Sequence, residues 1–346
     1  MSIIFRYVIE EKIVERFIDF FDVSSDKTGS GLADVILPVI KKWDLGNKII
    51  AQTYDGASVM SGTKNGVQSL IKNIYPNVLF IHCYAHQLNL VLLYGAKTIK
   101  PVKLFICNLT MFHTFFSRSS KRKFKKNLEN LRKEQTVNTC CDEAIQLNND
   151  FEYGDKQKNN LHKITYEILD SLIVQINIRF EDTSELEFVE LTNEKMFDIY
   201  HNTFPECKLI KLLKQYPNMF EENRLRNELS VIYSDNNKHL PPHKLLDLII
   251  KNNLQEIYSQ FTKLCQLVLT IPATTASSER SMSTLKRIKS FLRNTMTNER
   301  LTNLSSLAIE KNLLGVMAKD PTFVENIIDD FVKKKERRIE LEYKII

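Results

Sequence analysis

Hydrophobic and polar residues alternate along the first part of the chain in a pattern that predicts β-strands. Ser2–Ile9 and Ile13–Val23 interleave β-branched and aromatic residues with charged ones. Lys48–Tyr54 and Asn77–His82 have the same character. Strands that alternate with helices indicate a mixed α/β sheet with crossover connections. A helix is predicted between the second and third strands, because apolar residues recur there on one helical face: Leu32, Val35, Ile36, Val39, Ile40 and Trp43.

The pattern changes after about residue 116. Ser117–Lys133 is strongly basic, and Gln135–Asn160 is so polar that it predicts a loop or linker. The remainder reads as helical, with apolar stripes over Lys244–Leu254, over Ile257–Leu269 and around Leu301–Ile309. The sequence therefore predicts an α/β part followed by a mainly helical part.

The composition is that of a globular protein. The chain has 346 residues, of which 43% are hydrophobic and 26% are charged, and its net charge of +6 permits binding to nucleic acid. Six cysteines show no disulfide spacing, which favours reduced thiols in an intracellular protein. There is no apolar run of the roughly 18–20 residues that cross a membrane, and no secretory signal. We expect a nuclear or cytoplasmic protein without a membrane partner.

Two acidic residues stand in segments that are far apart in the sequence. Asp55 follows a predicted strand and precedes Gly56-Ala57-Ser58, and acids at strand ends face the crevice where α/β proteins bind ligands. The alternative role for Asp55 is a turn or helix cap. If Ser277 or Ser278 caps a helix, Glu279 lies in its first turn, where the helix dipole stabilises an acid. Alternatively, Asp55 and Glu279 share a divalent metal, since Mg²⁺ binds carboxylates and phosphate oxygens.

His82, Cys83 and His86 lie at a predicted junction between a strand and a helix. They could supply three zinc ligands, but no second Cys-x-x-Cys or His pair stands nearby in the sequence. The alternative is a structural role, with these side chains bonded to neighbouring loops. The sequence favours the structural role.

Two basic clusters are candidates for contact with nucleic acid. Aromatic residues flank the first cluster, and basic residues beside aromatic ones suit contact with a nucleic-acid backbone. A solvated helix face is the alternative for the first cluster. The candidate residues are Lys121, Arg122, Lys123, Lys125 and Lys126 in the first cluster, and Lys286 and Arg287 in the second.

These segments together resemble the hAT superfamily of DNA transposases, and in particular derived proteins related to zinc-finger MYM-type proteins. The first resembling block runs from about Ile3 to Leu92 and contains Tyr54-Asp55-Gly56-Ala57-Ser58 and His82-Cys83-Tyr84-Ala85-His86. The second runs from about Leu269 to Leu314 and contains Ser278-Glu279-Arg280. The order and spacing of the two blocks make the resemblance specific.

The resemblance implies a ribonuclease-H-like fold that is interrupted by a helical insertion and closed by a helical C-terminal dimerisation region. It also implies an Asp-Asp-Glu triad that binds Mg²⁺ or Mn²⁺ and cuts DNA, in which Asp55 would be the second acid and Glu279 the third. Cys83 and His86 would form the family's Cys-x-x-His element beside the active site. The segment that packs between subunits would include Leu301, Leu304 and Leu307.

The chain also departs from the family pattern. The first acid belongs on a central strand before Ile3, and Asp19 and Asp22 sit on the wrong strand to replace it. Without that central strand, Ser2–Ile9 and Lys48–Tyr54 lack a common neighbour. We expect an N-terminally truncated, incomplete ribonuclease-H-like α/β fold in three parts, which are residues 1–116, a shortened insertion at 117–240, and 241–346 with the dimerisation region.

The expected function follows from the resemblance and from these departures. We expect a hAT-transposase-derived, domesticated protein that is catalytically inactive, needs no cofactor and has no small-molecule substrate. It would dimerise in the nucleus, with itself or with related hAT proteins, through its C-terminal region, and would retain some DNA binding. The alternative is a metal-dependent DNA transposase or nuclease whose first catalytic Asp lies on a missing upstream segment.

Overall fold

The computed structural model describes residues 1–9, 11–100, 103, 155–180, 184–235, 239–289 and 296–333. The chain divides into two compact units. The first contains Met1–Cys83 and Glu185–Ile346, and the second contains Tyr84–Ser184. The predicted domain boundaries at residues 116 and 240 remain predictions.

The strands of the first unit form two separate pairs. β1 (Ser2–Ile9) and β2 (Lys12–Phe20) are antiparallel neighbours, while β3 (Ala51–Tyr54) and β4 (Leu79–His82) are parallel. Within the described ranges, no further strand joins these pairs. The mixed α/β class is confirmed, with helices predominating. One mixed sheet was predicted, but the described strands form two small sheets. The break falls between β1 and β3, the two strands that were expected to lack a common neighbour.

The third strand is shorter than predicted for a local reason. Asp44 has a φ angle of 48°, in the left-handed region, and the Lys48 backbone N–H donates to the Leu45 carbonyl at 2.7 Å. These residues form a turn that leads into a short 3₁₀ helix at Gly46–Lys48. The predicted strand was expected to begin at Lys48, but Lys48 belongs to the 3₁₀ helix. Pairing with β4 therefore starts only at Ala51.

Three helices flank these strands: α1 (Gly29–Lys42), α2 (Ser58–Ser61) and α3 (Val67–Ile74). The Thr28 hydroxyl caps α1 by accepting from the Gly31 backbone N–H at 3.2 Å. Pro38 lies inside α1 on its exposed side, and the helix continues through it. The apolar face of α1 packs on α3 in a small core formed by Leu32, Ile36, Ile40, Val67, Ile71 and Val78.

A larger core holds the helical part of the first unit together. Its members include Leu79 of β4 and many leucines and aromatic residues from the C-terminal helices, and each fully buried Leu or Phe contributes roughly 1.5–3 kcal/mol. Two 3₁₀ segments, Ser184–Thr192 and Glu194–Met196, lead into these helices. The helices are α6 (Phe197–Asn202), α7 (Glu206–Gln215), α8 (Glu222–Ser234), α9 (Pro242–Lys251), α10 (Ser259–Thr270), α11 (Ala276–Ile288), α12 (Asn298–Ile309), α13 (Lys311–Met317) and α14 (Pro321–Lys333).

In the second unit, the described residues form α4 (Tyr84–Thr98) and α5 (Asp155–Phe180), which pack against each other. A Cβ atom added at Gly95 of α4 would lie 3.3 Å from Leu172 of α5, so glycine allows this close approach. The predicted linker at Gln135–Asn160 needs correction, because residues 155–160 belong to α5. Lys and Gln are good helix formers despite their polarity, which explains the error. Residues 135–154 lie outside the described residues.

The β1–β2 hairpin is bonded to helices from the far end of the sequence. The Arg6 guanidinium donates to the Leu269 carbonyl at 3.0 and 3.2 Å and to the Glu15 carboxylate at 2.7 Å. The Ser277 hydroxyl also donates to Glu15. Burial alone would raise the pKa of Glu15, but the hydrogen bonds from Ser277 and Arg6 outweigh this effect and hold that pKa below its ordinary value.

The depressed pKa of Glu15 predicts a pH-dependent contribution to stability. A carboxylate whose pKa is lower in the folded state stabilises the fold above its unfolded-state pKa, and this stabilisation is lost as the pH falls through the folded-state value. We therefore expect Glu15→Gln to flatten the decrease in the free energy of unfolding between about pH 5 and pH 3. Urea unfolding at several pH values measures the free energy of unfolding and hence this decrease. Asp34→Asn, on an exposed position of α1, is the control, and equal slopes for Glu15→Gln and the wild type would contradict the prediction.

Candidate functional site

Asp55 lies where two parallel strands end. Tyr54 is the last residue of β3, and its carbonyl accepts from the backbone N–H of Cys83, which directly follows β4, at 2.9 Å. The carboxyl ends of parallel strands meet at one edge of a sheet. Asp55 and Cys83 therefore begin the two loops that leave the same edge of the β3–β4 pair.

A distant segment crosses this edge, and we call Leu269–Glu279 the joining segment. The Thr53 hydroxyl donates to the Pro272 carbonyl at 2.8 Å. The Thr275 backbone N–H and hydroxyl lie 3.3 and 3.1 Å from the sulfur of Cys83, which is fully buried. The joining segment is thus bonded to the ends of both parallel strands.

Glu279 belongs to the first turn of α11, as the sequence predicts. Its backbone N–H donates to the Thr275 carbonyl at 3.0 Å, and the Thr275 hydroxyl lies 3.4 Å from its carboxylate. The helix begins at Ala276, so neither Ser277 nor Ser278 caps it, in contrast to the possibility that the sequence left open. The reason lies in tertiary contacts, because the two serine hydroxyls bond to Glu15 and, at 2.7 Å, to Ser2.

The structure therefore brings the two acid-bearing segments to one edge, where both acids are exposed. Asp55 accepts from the Ala57 backbone N–H at 3.3 Å, in the turn that leads into α2. Each acid thus has a local role in a turn or a first helical turn, as the alternatives from the sequence foresaw. Their role as catalytic or metal-binding residues remains a prediction.

The donor set fits a hard cation only in part. Carboxylate oxygens are the ligands that Mg²⁺ or Mn²⁺ prefers, and Asp55 and Glu279 provide them. Cys83 supplies a soft sulfur that Thr275 already contacts. Groups of three or more His, Cys, Asp or Glu side chains placed to hold a metal do not occur in the part of the chain that the structure describes.

Cys83 and His86 fall in different units. Cys83 ends the first part of the first unit, and His86 is a half-buried residue of α4 in the second unit. The observed bonds of Cys83 to Thr275 anchor the joining segment. Thr275 is a structural link that sequence reasoning missed, because its contact with Cys83 joins residues far apart in the sequence.

The basic candidates are only partly covered by the structure. Lys286 and Arg287 are exposed on the last turn of α11. Arg280 is also exposed, two turns before Arg287 on the same face, and was not among the sequence candidates for this role. The other basic candidates lie outside the described residues: Lys121, Arg122, Lys123, Lys125 and Lys126.

The three leucines proposed for dimerisation differ in exposure on α12. Leu301 is buried, at 5% exposed, and therefore packs within its own chain. Leu304 is half-buried, whereas Leu307 is 54% exposed. Leu307 is thus the side chain of the three that is most available to a partner, and the assignment of all three to dimerisation remains a prediction.

Comparison with known protein families gives two matches. Residues 228–313, which contain α11 and α12, match the hAT family C-terminal dimerisation region. Residues 1–66, which contain β1 to β3 and Asp55, match the ZMYM1/FAM200 RNase-like domain. Both matches support a hAT-transposase-derived origin of the chain. The first match suggests a role in dimerisation, with the same protein or related proteins as partners.

The length and apolar character of the helices bear on whether they could span a membrane. Among the helices that the structure describes, none combines the length and the apolar character needed to cross a bilayer.

The link between Thr275 and Cys83 can be tested by removing one hydroxyl. Thr275→Val preserves the shape of the side chain but removes its hydrogen bonds to Cys83 and Glu279. We expect the free energy of unfolding to fall by about 0.5–1.5 kcal/mol, the usual net value of such bonds. Urea unfolding measures it, with Thr274→Val at the adjacent exposed position as the control. Equal losses for both variants would contradict the link.

Proposed function

We propose that this hAT-derived protein acts as a non-catalytic dimerising protein in the nucleus, pairing with itself or with related hAT proteins. The observation that carries the proposal is the match of residues 228–313 to a dimerisation region. Exposed apolar side chains in and just after this region support it, since Leu307 is 54% exposed and Val316 of α13 is 66% exposed. Burying an exposed Leu or Val against a partner is favourable by roughly 1.5–3 kcal/mol.

The non-catalytic part of the proposal rests on what the two acids do locally. Phosphoryl transfer depends on metal charge that is held firmly by positioned ligands. Asp55 bonds to the turn before α2, and Glu279 bonds to Thr275 at the start of α11. These roles give both residues a structural reason to be present that is independent of catalysis.

Exposed basic side chains on α11 support the residual DNA binding in this proposal. Arg280 and Arg287 lie on one exposed face of α11, next to Lys286. Basic side chains on one helix face neutralise phosphates and release counterions, without reading the base sequence. The basic run that begins at Lys333 is compatible with a nuclear-localisation patch, and the charged end of a helix is the alternative.

A second candidate function is a metal-dependent DNA nuclease. The arrival of the Asp55 and Glu279 segments at one edge of β3–β4 favours it. Both carboxylates would hold Mg²⁺ or Mn²⁺, which when bound would polarise a phosphate and activate water. The first acid of the triad would then have to come from a segment other than these two.

A nicking assay separates the two functions. We expect no cleavage of supercoiled DNA by the wild type, with Mg²⁺ or Mn²⁺, above the level of an Asp55→Ala variant, because the acids are used structurally. Gel electrophoresis of the plasmid forms measures it. Metal-dependent cleavage that Asp55→Ala and Glu279→Ala both abolish, while Asp34→Ala does not, would establish the nuclease instead.

The dimerising function predicts a specific effect at Leu307. Leu307→Asp should raise the dimer dissociation constant at least about tenfold, because a charge would be placed in an apolar contact, and a tenfold change corresponds to about 1.4 kcal/mol. Sedimentation equilibrium measures it. Ile74→Asp is the matched control, since Ile74 lies outside the dimerisation match and is 52% exposed. A monomeric wild type at all accessible concentrations would overturn the function.

A further inference from the structure

One face of the β1–β2 hairpin is covered at one end and open at the other. Phe5, Tyr7 and Ile9 alternate along β1, so their side chains point to the same face of the hairpin. Ile3, at the start of this face, packs on the small core beside α1. Beyond Phe5 the face opens to solvent, since Tyr7 is 36% exposed and Ile9 is 52% exposed. The opposite face, which carries Val8, packs on the larger core.

Trp43 extends the open face at the end of α1. Its ring centroid lies 6.3 Å from that of Phe5, and the two ring planes are nearly perpendicular, at 89°. A perpendicular contact covers at most one side of the indole ring, and Trp43 is 52% exposed. Phe5, Tyr7 and Trp43 thus form one surface, which we call the aromatic patch. Large aromatic side chains that lie exposed together are typical of a binding surface.

Three lysines surround the aromatic patch. Lys12 lies directly opposite Ile9 in the hairpin, and opposite residues of an antiparallel pair share a face. Lys41 and Lys42 immediately precede Trp43. All three are exposed, and among the described residues none forms an ion pair with them. Their charges are therefore available to a ligand.

The acids on the same elements do not cancel these charges. Asp34 is exposed on α1 but lies more than two turns before Trp43, and Glu10 lies outside the described residues. The other acids have partners of their own, which are Lys48 for Asp44, Lys251 for Glu11, Arg6 for Glu15 and Thr302 for Asp19. The charge that remains around the patch is positive.

Aromatic rings beside free cations indicate the class of ligand. Aromatic side chains stack on nucleic-acid bases, and lysines neutralise the phosphates between them. In a duplex the bases already stack on one another, so the ligand has to present unpaired bases. An acidic peptide would satisfy the lysines, but it offers no row of planar groups to the rings.

We propose that the aromatic patch binds single-stranded nucleic acid, with bases stacked on Trp43 and Tyr7 and phosphates held by Lys12, Lys41 and Lys42. This site is separate from the basic face of α11 and does not depend on dimerisation. Stacking tolerates any base, so the site binds without reading the base sequence.

Trp43 is the only tryptophan of the chain, so its fluorescence reports on this surface alone. Oligothymidylate and oligouridylate of equal length are titrated into the full chain, with excitation at a wavelength that tyrosine does not absorb. We expect saturable quenching, because a base stacked on the indole quenches its emission. Quenching by either oligonucleotide supports the proposal, and the tighter of the two identifies DNA or RNA as the ligand.

The same titration contains the outcomes that contradict the proposal. Absence of quenching at low salt would overturn it, and so would binding that leaves the emission of Trp43 unchanged. Equal quenching by poly-glutamate would indicate an acidic peptide instead, and equal affinity for a duplex would overturn the requirement for unpaired bases. This measurement uses the wild type, so it stands even where a variant loses its fold.

Two variants separate stacking from charge, with a labelled oligothymidylate followed by fluorescence anisotropy. Trp43→Leu should raise the dissociation constant about tenfold and leave its salt dependence unchanged. Lys41→Gln combined with Lys42→Gln should instead reduce the slope of log K against log salt by about 1.4, since each phosphate contact on a single strand contributes about 0.7.

Two controls accompany these variants. Tyr94→Leu removes an aromatic side chain that is 44% exposed and lies outside the patch, and it should leave the dissociation constant unchanged. Equal constants for Trp43→Leu and Tyr94→Leu would overturn the proposal. Lys286→Gln combined with Arg287→Gln should leave the quenching of Trp43 unchanged, and loss of the quenching would move the binding to α11. Circular dichroism of each variant checks that the fold is retained.

Discussion

The bonding of the joining segment to the N-terminal strands is the constraint on which the first unit depends. Leu269 accepts from Arg6 on β1, Pro272 accepts from Thr53 on β3, and Thr275 contacts the sulfur of Cys83 after β4. A two-stranded sheet is marginally stable by itself. Since the two strand pairs are not joined by a described strand, their connection runs through this segment and through the helical core that contains Leu79.

The same constraint explains how the two acids come to lie at one edge. Asp55 is fixed by the end of β3, and Glu279 is fixed by a helix whose first residues are held against β1 and β2. The convergence is therefore a property of the fold, and it would be maintained for stability even without catalysis. The position of the two acids at this edge therefore does not by itself imply activity there. Changing the carboxylates tests activity, whereas changing the hydroxyl of Thr275 tests the stability of the edge.

Much of the fold could be predicted because its signals are local. The alternation over Ser2–Ile9 gave the bounds of β1, and the two contiguous motifs around Asp55 and Glu279 indicated the family. What failed depended on partners distant in sequence. The start of α11 was misplaced because the hydroxyls of Ser277 and Ser278 serve the hairpin instead of the helix. The contact between Thr275 and Cys83 spans most of the chain, and no periodicity along the sequence could reveal it.

Helix α12 combines two tasks on opposite sides. On one side Leu301 is buried, and Thr302 donates to Asp19 of β2 at 2.6 Å; just beyond the helix, Glu310 accepts from the backbone N–H of Phe17 at 2.8 Å. On the other side Leu307 faces outward. Substitutions on the inner side would loosen the packing of the hairpin, whereas Leu307 is open to the partner that the proposed function requires. The proposed dimer contact and the packing of the hairpin would thus use opposite sides of one helix.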